Sequence, residues 1–596
     1  MQQTIDSVTR EVIYHRFKSI ADEMQTCIQR TGFTTVMKET GDNCAGIFDA
    51  QCRMIAQGYG VPFHLASLIL NIPEIVKKFP ISQMKDGDIY MQNDPYNGGS
   101  HLPDIAIVLP VICQGEVVAL ACSMAHQQDI GAKRPAVCTD TTSLFEEGLN
   151  IPPIKYYEAG VRNEAVHRII MNNVRQPDLM VGDLQAQISA CKTGRARILE
   201  LFEEYGRDTM LFAMEQMNGY SEALTRQALM QIPDGDYSFA DYIDSDGIDY
   251  SKRIKIAAKV TIRGDQIIAD FRGSGPQAKG PFNCVPSVSM AAVSFVTRAI
   301  TGALIPNNEG CFRPITFIPA EEGSILNPRY PAAVGARQTT LHRIKDVLMG
   351  ALIKAVPERL PACPTALGIH YFVGTDPITQ KDYVGVEFLV GGQGARPTKD
   401  GIDTISTDLT NVKNNPVESI EKTTPIRIVK TGLRDESGGA GEYRGGLGLH
   451  KVFELTRGEC VVNFFHPRFT TRSWGVFGGL PGAIGMAFIV RKTGEKEEIP
   501  SKCVRTLYEG DQLHLFNAGG GGYGDPLKRK PELVLRDVLT RRVLLEAAAE
   551  DYGVVINEKS MAINREKTNK LRKEKARLRG PITWTYDRGP EMGGRE

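Results

Sequence analysis

No apolar run in this 596-residue chain approaches the ~20 residues that a bilayer-spanning helix needs, so no membrane segment is expected. The opening stretch, MQQTIDSVTREVIYHRF, lacks the apolar core of a secretory signal, and a cytoplasmic location is the expectation. No two of the twelve cysteines (27, 44, 52, 113, 122, 138, 191, 284, 311, 363, 460 and 503) stand at CxxC spacing. That excludes a zinc ribbon and a small-domain disulfide framework, and leaves reduced, mostly buried thiols. Neither sign of charge is in excess, at 70 Lys+Arg against 70 Asp+Glu, whereas a general nucleic-acid binder carries a basic surplus. No GxxxxGK(S/T) occurs, and no GxGxxG follows a strand to open a helix. The chain therefore has no nucleotide fingerprint of its own. No short repeat recurs at a fixed period.

What is present is a globular composition, 42% apolar and 23% charged. At roughly 100–200 residues per domain, the length implies about three to five units. Val8, Val12, Ile13, Phe17, Ile20, Met24 and Ile28 recur at helical spacing over 8–31. Residues 62–79, 176–232, 285–302, 339–355 and 530–550 also read as helical. CAGIFDAQCRMIAQ reads as a hairpin around Asp49-Ala50-Gln51. IAIVLPVI, the turn Gln114-Gly115 and EVVALACSMA read as a longer antiparallel hairpin over 105–124. Strand patterns return at 235–272 and from about 355 to 400. A polar stretch, 398–419, reads as a loop or junction. The glycine clusters SGGAGEYRGGLG, GVFGGLPGAIG and NAGGGGYGDP lie in a β-rich segment, where turn and bulge glycines are the expectation.

The fold class expected is α+β and multi-domain, with mixed helices, antiparallel sheets and a glycine-rich β region near the C-terminus. Four regions are expected: 1–232 with the hairpin and flanking helices, 233–400 as an α+β middle, 401–527 as the glycine-rich β region, and 528–596 as a C-terminal helix and basic tail. The tail, Glu558 to Arg579, carries nine Lys/Arg against three Glu and reads as a solvated helical arm or a subunit contact.

Chemistry concentrates in NDPYNGGSHLPDIAIVLPV (93–111) and SMAHQQD (123–129). Folding the hairpin about Gln114-Gly115 sets Asp104 almost opposite Ala125 and His126. His101 lies three residues earlier, and Pro103 is expected to keep that loop extended. His101, Asp104 and His126 then meet at the open end of the hairpin. Two imidazoles and a carboxylate suit Zn, Mn or Fe, with positions left for water or substrate. The competing reading is a surface loop with a hydrogen bond. Gly98 and Gly99 would let backbone approach a bound ligand. Asp42, in KETGDNCAGIFD, is a further candidate ligand or general base, although spacing alone does not bring it to the hairpin. Asp94, Asp129 and His64 are candidates to orient the imidazoles from behind. Cys44 and Cys122 lie close enough in sequence to be weighed as nucleophiles, for which His126 would have to serve as base.

These motifs resemble the hydantoinase B/oxoprolinase family, and the resemblance covers most of the chain. Supporting stretches are FEEGLNIPPIKYYEAG (145–160), NNVRQPDLMVGDLQAQISA (172–190), NCVPSVSMAA (283–292), GGAGEYRGGLG (438–448), HPRF with GGLPG (466–482) and GGGGYGDPL (519–527). The resemblance implies that His101, Asp104 and His126 are metal ligands and that Asp42 is an acid beside the metal, as ligand or base. It implies one subunit of a hetero-oligomer with a hydantoinase A-type partner, which uses ATP to phosphorylate the carbonyl of a small-molecule substrate. The implied activity is ATP-dependent ring opening of a cyclic amide (hydantoin, oxoproline or lactam; EC 3.5.2 type). The alternative is a subunit of an acetone- or acetophenone-type ketone carboxylase. One departure stands out: the family often carries His-His-x-Asp where this chain has His126-Gln127-Gln128-Asp129.

Overall fold

The structure, a computed structural model, describes residues 5–406 and 408–596. Residues 1–4 of the opening stretch and Thr407 of the polar stretch lie outside it. Two compact units form, each from three pieces of chain. One holds Met1–Ser238, Ala257–Leu348 and Thr407–Pro416; the other holds Phe239–Ile256, Met349–Ser406 and Val417–Glu596. The fold is α+β, with mixed helices and mainly antiparallel sheets.

The first unit is built on a seven-stranded antiparallel sheet. Its strands are β1 (Asn43–Asp49), β2 (Met54–Gln57), β3 (Ile89–Gln92), β4 (Asp104–Cys113), β5 (Glu116–His126), β6 (Ile154–Glu158) and β7 (Val161–Arg162). Their spatial order is β2-β1-β5-β4-β3-β6-β7. Gln114 and Gly115 both adopt positive φ, 52° and 84°, as a two-residue type I′ connection requires. That turn starts the register of β4 against β5, and a bulge beside Val111 and Ile112 shifts it by one residue, which is what brings Asp104 opposite His126.

The helices are α1 (Ser7–Thr31), α2 (Pro62–Lys78), α3 (Glu164–Asn172), α4 (Pro177–Tyr205), α5 (Arg207–Leu229), α6 (Pro286–Thr301) and α7 (Gln338–Leu352). The Asp6 side chain caps α1 by accepting from the Val8 and Thr9 amides. Ile13, Phe17, Ile20, Met24 and Ile28 form its buried face, while Val8 and Val12 stay exposed. The helical stretch expected over 176–232 is two helices, because Gly206 turns to φ 81° between α4 and α5.

Strands this apolar are stable because both sheet faces are covered. Leu65, Leu68, Ile72 and Ile75 of α2 share a core with Phe48, Val108, Leu120 and Cys122. On the opposite face α4 lies across β4 and β5, its Cys191 meeting Ser123, and α1 packs on α4. Each Leu or Ile so buried contributes about 2 kcal/mol.

The second unit is a sandwich of two antiparallel sheets. One runs Asp382–Val390, Leu367–Thr375, Glu459–Phe465, Lys502–Tyr508; the other runs Ile426–Leu433, Leu449–Leu455, Gln512–Phe516, Met486–Val490, Lys496–Ile499. Phe372, Leu389 and Phe464 of the first meet Phe453, Leu513 and Ile489 of the second. The glycine-rich segments come together in this unit, and one expectation about them is corrected. Residues 517–522 make no strand. The Gly520, Gly521 and Gly522 amides donate to the carbonyls of Gly446, Cys363 and Leu480, three separate segments, at 2.8–3.0 Å. A Cβ on any of Gly519–Gly522 would sit 1.7–2.1 Å from a carbonyl oxygen. Close approach of backbones, not turn or bulge geometry, requires glycine here.

The helix expected over 530–550 is two, Pro531–Leu539 and Leu545–Glu550, with Arg541 at φ 57° between them. The basic tail holds a helix, Arg565–Arg579, that is docked rather than free. Arg572 donates to the Tyr552 and Arg529 carbonyls, and Arg579 pairs with Asp525.

Candidate metal centre

Asp104 begins β4, His126 ends β5, and the ladder pairs them directly. The segment before them differs from the extended loop that Pro103 suggests. The Asp104 amide donates to the His101 carbonyl at 3.0 Å, closing a turn that brings the His101 ring back over Asp104. Gly98 and Gly99 serve protein packing rather than ligand approach: a Cβ on either would lie 2.5 Å from the carbonyl oxygens of Leu70 and Asp94 respectively.

The three side chains converge. Asp104 Oδ1 lies 3.0 Å from His101 Nε2 and 3.2 Å from His126 Nδ1, and the two ring nitrogens are 3.2 Å apart. Among the described residues, His101, Asp104 and His126 form the group of potential ligand atoms that all lie within 4.8 Å of one another. All three are buried. The other oxygen of Asp104 accepts from Arg337 Nη2 at 2.7 Å and from the Ser100 hydroxyl. Burial pulls the Asp104 carboxyl up, but His101, His64 and Arg337 together outweigh it and hold it well below the usual carboxylate range.

The tautomer of His101 follows from its other nitrogen. Nδ1 faces the Gly335 carbonyl at 2.8 Å, and a carbonyl only accepts, so Nδ1 carries the proton. Burial, with Arg337 beside it, pushes the His101 imidazole down to about 4, so the ring is neutral near pH 7. Nε2 therefore presents a lone pair toward a carboxylate oxygen. Two acceptors 3.0 Å apart repel unless a cation lies among them, and that is the observation by which this site fits a metal.

Two further side chains border the site. His64, in the first turn of α2, is fully buried, and neither ring nitrogen makes a hydrogen bond. Its Nε2 lies 3.3 Å from Asp104 Oδ1 and 3.7 Å from Asp42 Oδ1. Asp42 is brought in by β1, which pairs with β5 so that Asn43 faces Ala125 and the His126 amide donates to the Asp42 carbonyl at 3.1 Å.

Other candidates lie elsewhere. Asp94 caps its own turn through Tyr96 and Asn97, and Asp129 binds Arg175, so neither orients an imidazole. Cys44 and Cys122 are fully buried, and burial pushes both thiols well up, which disfavours a thiolate. Gln127 turns away toward α4, donating to Gln187 Oε1 at 3.1 Å. Sequence reasoning missed Ser100, Gly335 and Arg337. Ser100 stands inside the singled-out motif; the other two are more than 230 positions from Asp104 and carry no spacing signal.

The match to known proteins is continuous along the chain. The hydantoinase B/oxoprolinase family model covers residues 6–526. The chain belongs to the hydantoinase B/oxoprolinase family. It is 33% identical over 589 residues to the B-type component of a candidate D-/L-hydantoinase from Pseudomonas sp. (strain NS671), covering 96% of this chain and 98% of that one. The crystal structure of the ATP-dependent caprolactamase from Pseudomonas jessenii superposes with a TM-score of 0.89 at 28% identity, over 96% of this chain and 100% of that one. A nucleotide-free acetone carboxylase shares the fold, with a TM-score of 0.88 at 19% identity, over 96% of this chain and 83% of that one. As in any hydantoinase B/oxoprolinase member read from fold alone, chemistry has to be argued from the site. Among the described residues, no helix is long and apolar enough to cross a membrane.

Proposed function

We propose that this chain is the metal-dependent hydrolase subunit of a cytoplasmic, ATP-dependent enzyme that opens a cyclic amide. The substrate class is a hydantoin, oxoproline or lactam, and the partner is a hydantoinase A-type subunit that phosphorylates the carbonyl oxygen. The observation that carries the reading is the meeting of His101 Nε2, Asp104 Oδ1 and His126 Nδ1 in a buried cluster, within the span that the family model matches.

The physical logic begins with the amide, whose resonance makes it a poor electrophile. Phosphorylation turns its oxygen into a leaving group. A divalent transition metal (Zn, Mn or Fe) held by His101, Asp104 and His126 would supply the Lewis acidity that lowers the pKa of water. Asp42, beside that set, accepts the proton that water gives up as its oxygen bonds to the activated carbon. The ring nitrogen takes up the proton from Asp42 and then that of the new hydroxyl as the carbon–nitrogen bond breaks, leaving an open-chain amine and an acyl phosphate; a second water displaces phosphate from the acyl group and gives the free acid. Arg337 and Ser100 keep Asp104 ionised and turned, so that Oδ1 alone faces the imidazoles. His64 completes the buried wall between Asp104 and Asp42.

The test is reconstitution with the hydantoinase A-type partner. ATP turnover should rise with a hydantoin, oxoproline or lactam and yield the ring-opened acid. Turnover that instead requires a ketone together with bicarbonate would replace the hydrolase with a carboxylase.

A further inference from the structure

The FEEGL segment, 145–149, supplies no potential ligand, yet it holds the one buried glutamate among the described residues of its unit. Glu147 is 6% exposed. Its Oε2 accepts from the Val334 amide at 2.9 Å, and its Oε1 accepts from the Gly335 amide at 2.7 Å and the Thr141 hydroxyl at 2.9 Å. One carboxylate thus grips two successive amides of a loop that has no regular structure of its own. The next carbonyl of that loop, Gly335 C=O, receives the His101 Nδ1 proton. A Cβ on Gly335 would stand 2.7 Å from Glu147 Oε1, so the approach depends on glycine. The segment is tied to the ligand loop from its far end as well. Asn93 donates to the Leu102 and Leu149 carbonyls and accepts from the Ile151 amide.

We propose that Glu147 is a positioning residue for the candidate metal centre: by clamping the Val334 and Gly335 amides, it aims the Gly335 carbonyl at His101 Nδ1 and fixes the tautomer that leaves Nε2 free to bind a cation. The inference rests on the metal-centre reading. A neutral imidazole carries one proton, and its position decides which nitrogen can ligate. Partners behind a ligating histidine typically account for 10- to 100-fold in metal affinity. Glu147 acts one step further back, through the Gly335 backbone.

The experiment compares wild type, Glu147→Gln and Glu146→Gln as full-length, metal-free proteins titrated with Co(II) against a chelator. Glu147→Gln keeps the shape but turns one acceptor into a donor facing an amide N–H. It should bind Co(II) about 10- to 100-fold more weakly. Glu146→Gln, a partly exposed neighbour, should match wild type within a factor of about two. Histidine-selective 15N NMR on metal-free wild type should show His101 protonated at Nδ1, with that signature lost in Glu147→Gln. Wild-type Co(II) affinity in a folded Glu147→Gln would overturn the inference and leave the metal centre standing. If Glu147→Gln does not fold, the wild-type spectrum still decides: a proton on Nε2 overturns the inference. No Co(II) binding by wild type removes the metal-centre reading itself.

Discussion

Asp104 gives one oxygen to Ser100 and Arg337 and turns the other toward His101, His126 and His64. Removing a neighbour of the first oxygen disturbs charge, whereas removing a neighbour of the second removes a potential ligand. His101→Ala and His126→Ala should therefore lose bound metal and product formation, while the partner still binds ATP. Asp42→Asn should keep both metal and fold, yet slow turnover by about 100-fold or more, the usual scale for a lost general base. Metal analysis by mass spectrometry beside a turnover assay separates the two outcomes. Full occupancy in both histidine variants would remove the ligand assignment, and near-normal turnover in Asp42→Asn would remove the base. The convergence of His101, Asp104 and His126 was legible in the sequence to within one residue, because a two-residue turn counts off an antiparallel register; the bulge beside Val111 and Ile112, which adds the last step, was not. Arg337 and Gly335 were not, since nothing local marks a residue that arrives from another part of the chain.

At the scale of elements, the apolar hairpin and the amphipathic α1 are legible because their periodicity is local. Gly206 and Arg541 break helices that composition alone ran together. The glycines of 519–522 mislead for a different reason. Glycine admits both positive φ and close backbone contact, and only the neighbours reveal which is used. At Gly520, a Cβ would sit 2.0 Å from the Gln393 carbonyl, whereas at Gly432 it would meet nothing within 4 Å. Gly520→Ala should destabilise the second unit by about 3 kcal/mol, the upper range for overpacking against atoms that cannot yield. Gly432→Ala should change it by less than about 0.5 kcal/mol. Both tryptophans of the chain, Trp474 and Trp584, lie in this unit, so their fluorescence during urea unfolding reports on it. Equal midpoints for the two variants would contradict the close-packed reading of 519–522.

At the scale of the whole molecule, the two units share a chain but not a segment order, because each is assembled from three pieces. Sequence shows where composition changes; it does not show that a piece near 410 returns to the unit that began the chain. The units also carry their buried histidines for different ends, and this yields a test confined to the second. His370 and His466 meet there at 3.2 Å, both fully enclosed. Burial pushes the His466 imidazole down to about 3, with the Asn517 side chain pulling slightly upward. Burial, His466 and Lys451 hold His370 well below the usual range. Both are neutral when folded at pH 7 and at pH 5, whereas an unfolded histidine takes up its proton below about 6.5. The unfolded state then binds more protons, so stability present above pH 6.5 is lost as pH falls toward the folded values. Between pH 7 and pH 5, His466 alone accounts for a loss of about 2 kcal/mol. Glu387, raised by burial against the pull of Lys451, contributes with the opposite sign, so the total slope mixes several groups. A comparison with His466→Gln isolates one of them. That variant should be less stable than wild type at pH 7, because it loses the stacking of His466 on Phe464. Its tryptophan-detected stability should nevertheless fall by about 2 kcal/mol less than that of wild type on moving to pH 5. Parallel pH slopes for the two proteins would mean that His466 takes up its proton alike in the folded and the unfolded chain, so that burial does not hold it neutral.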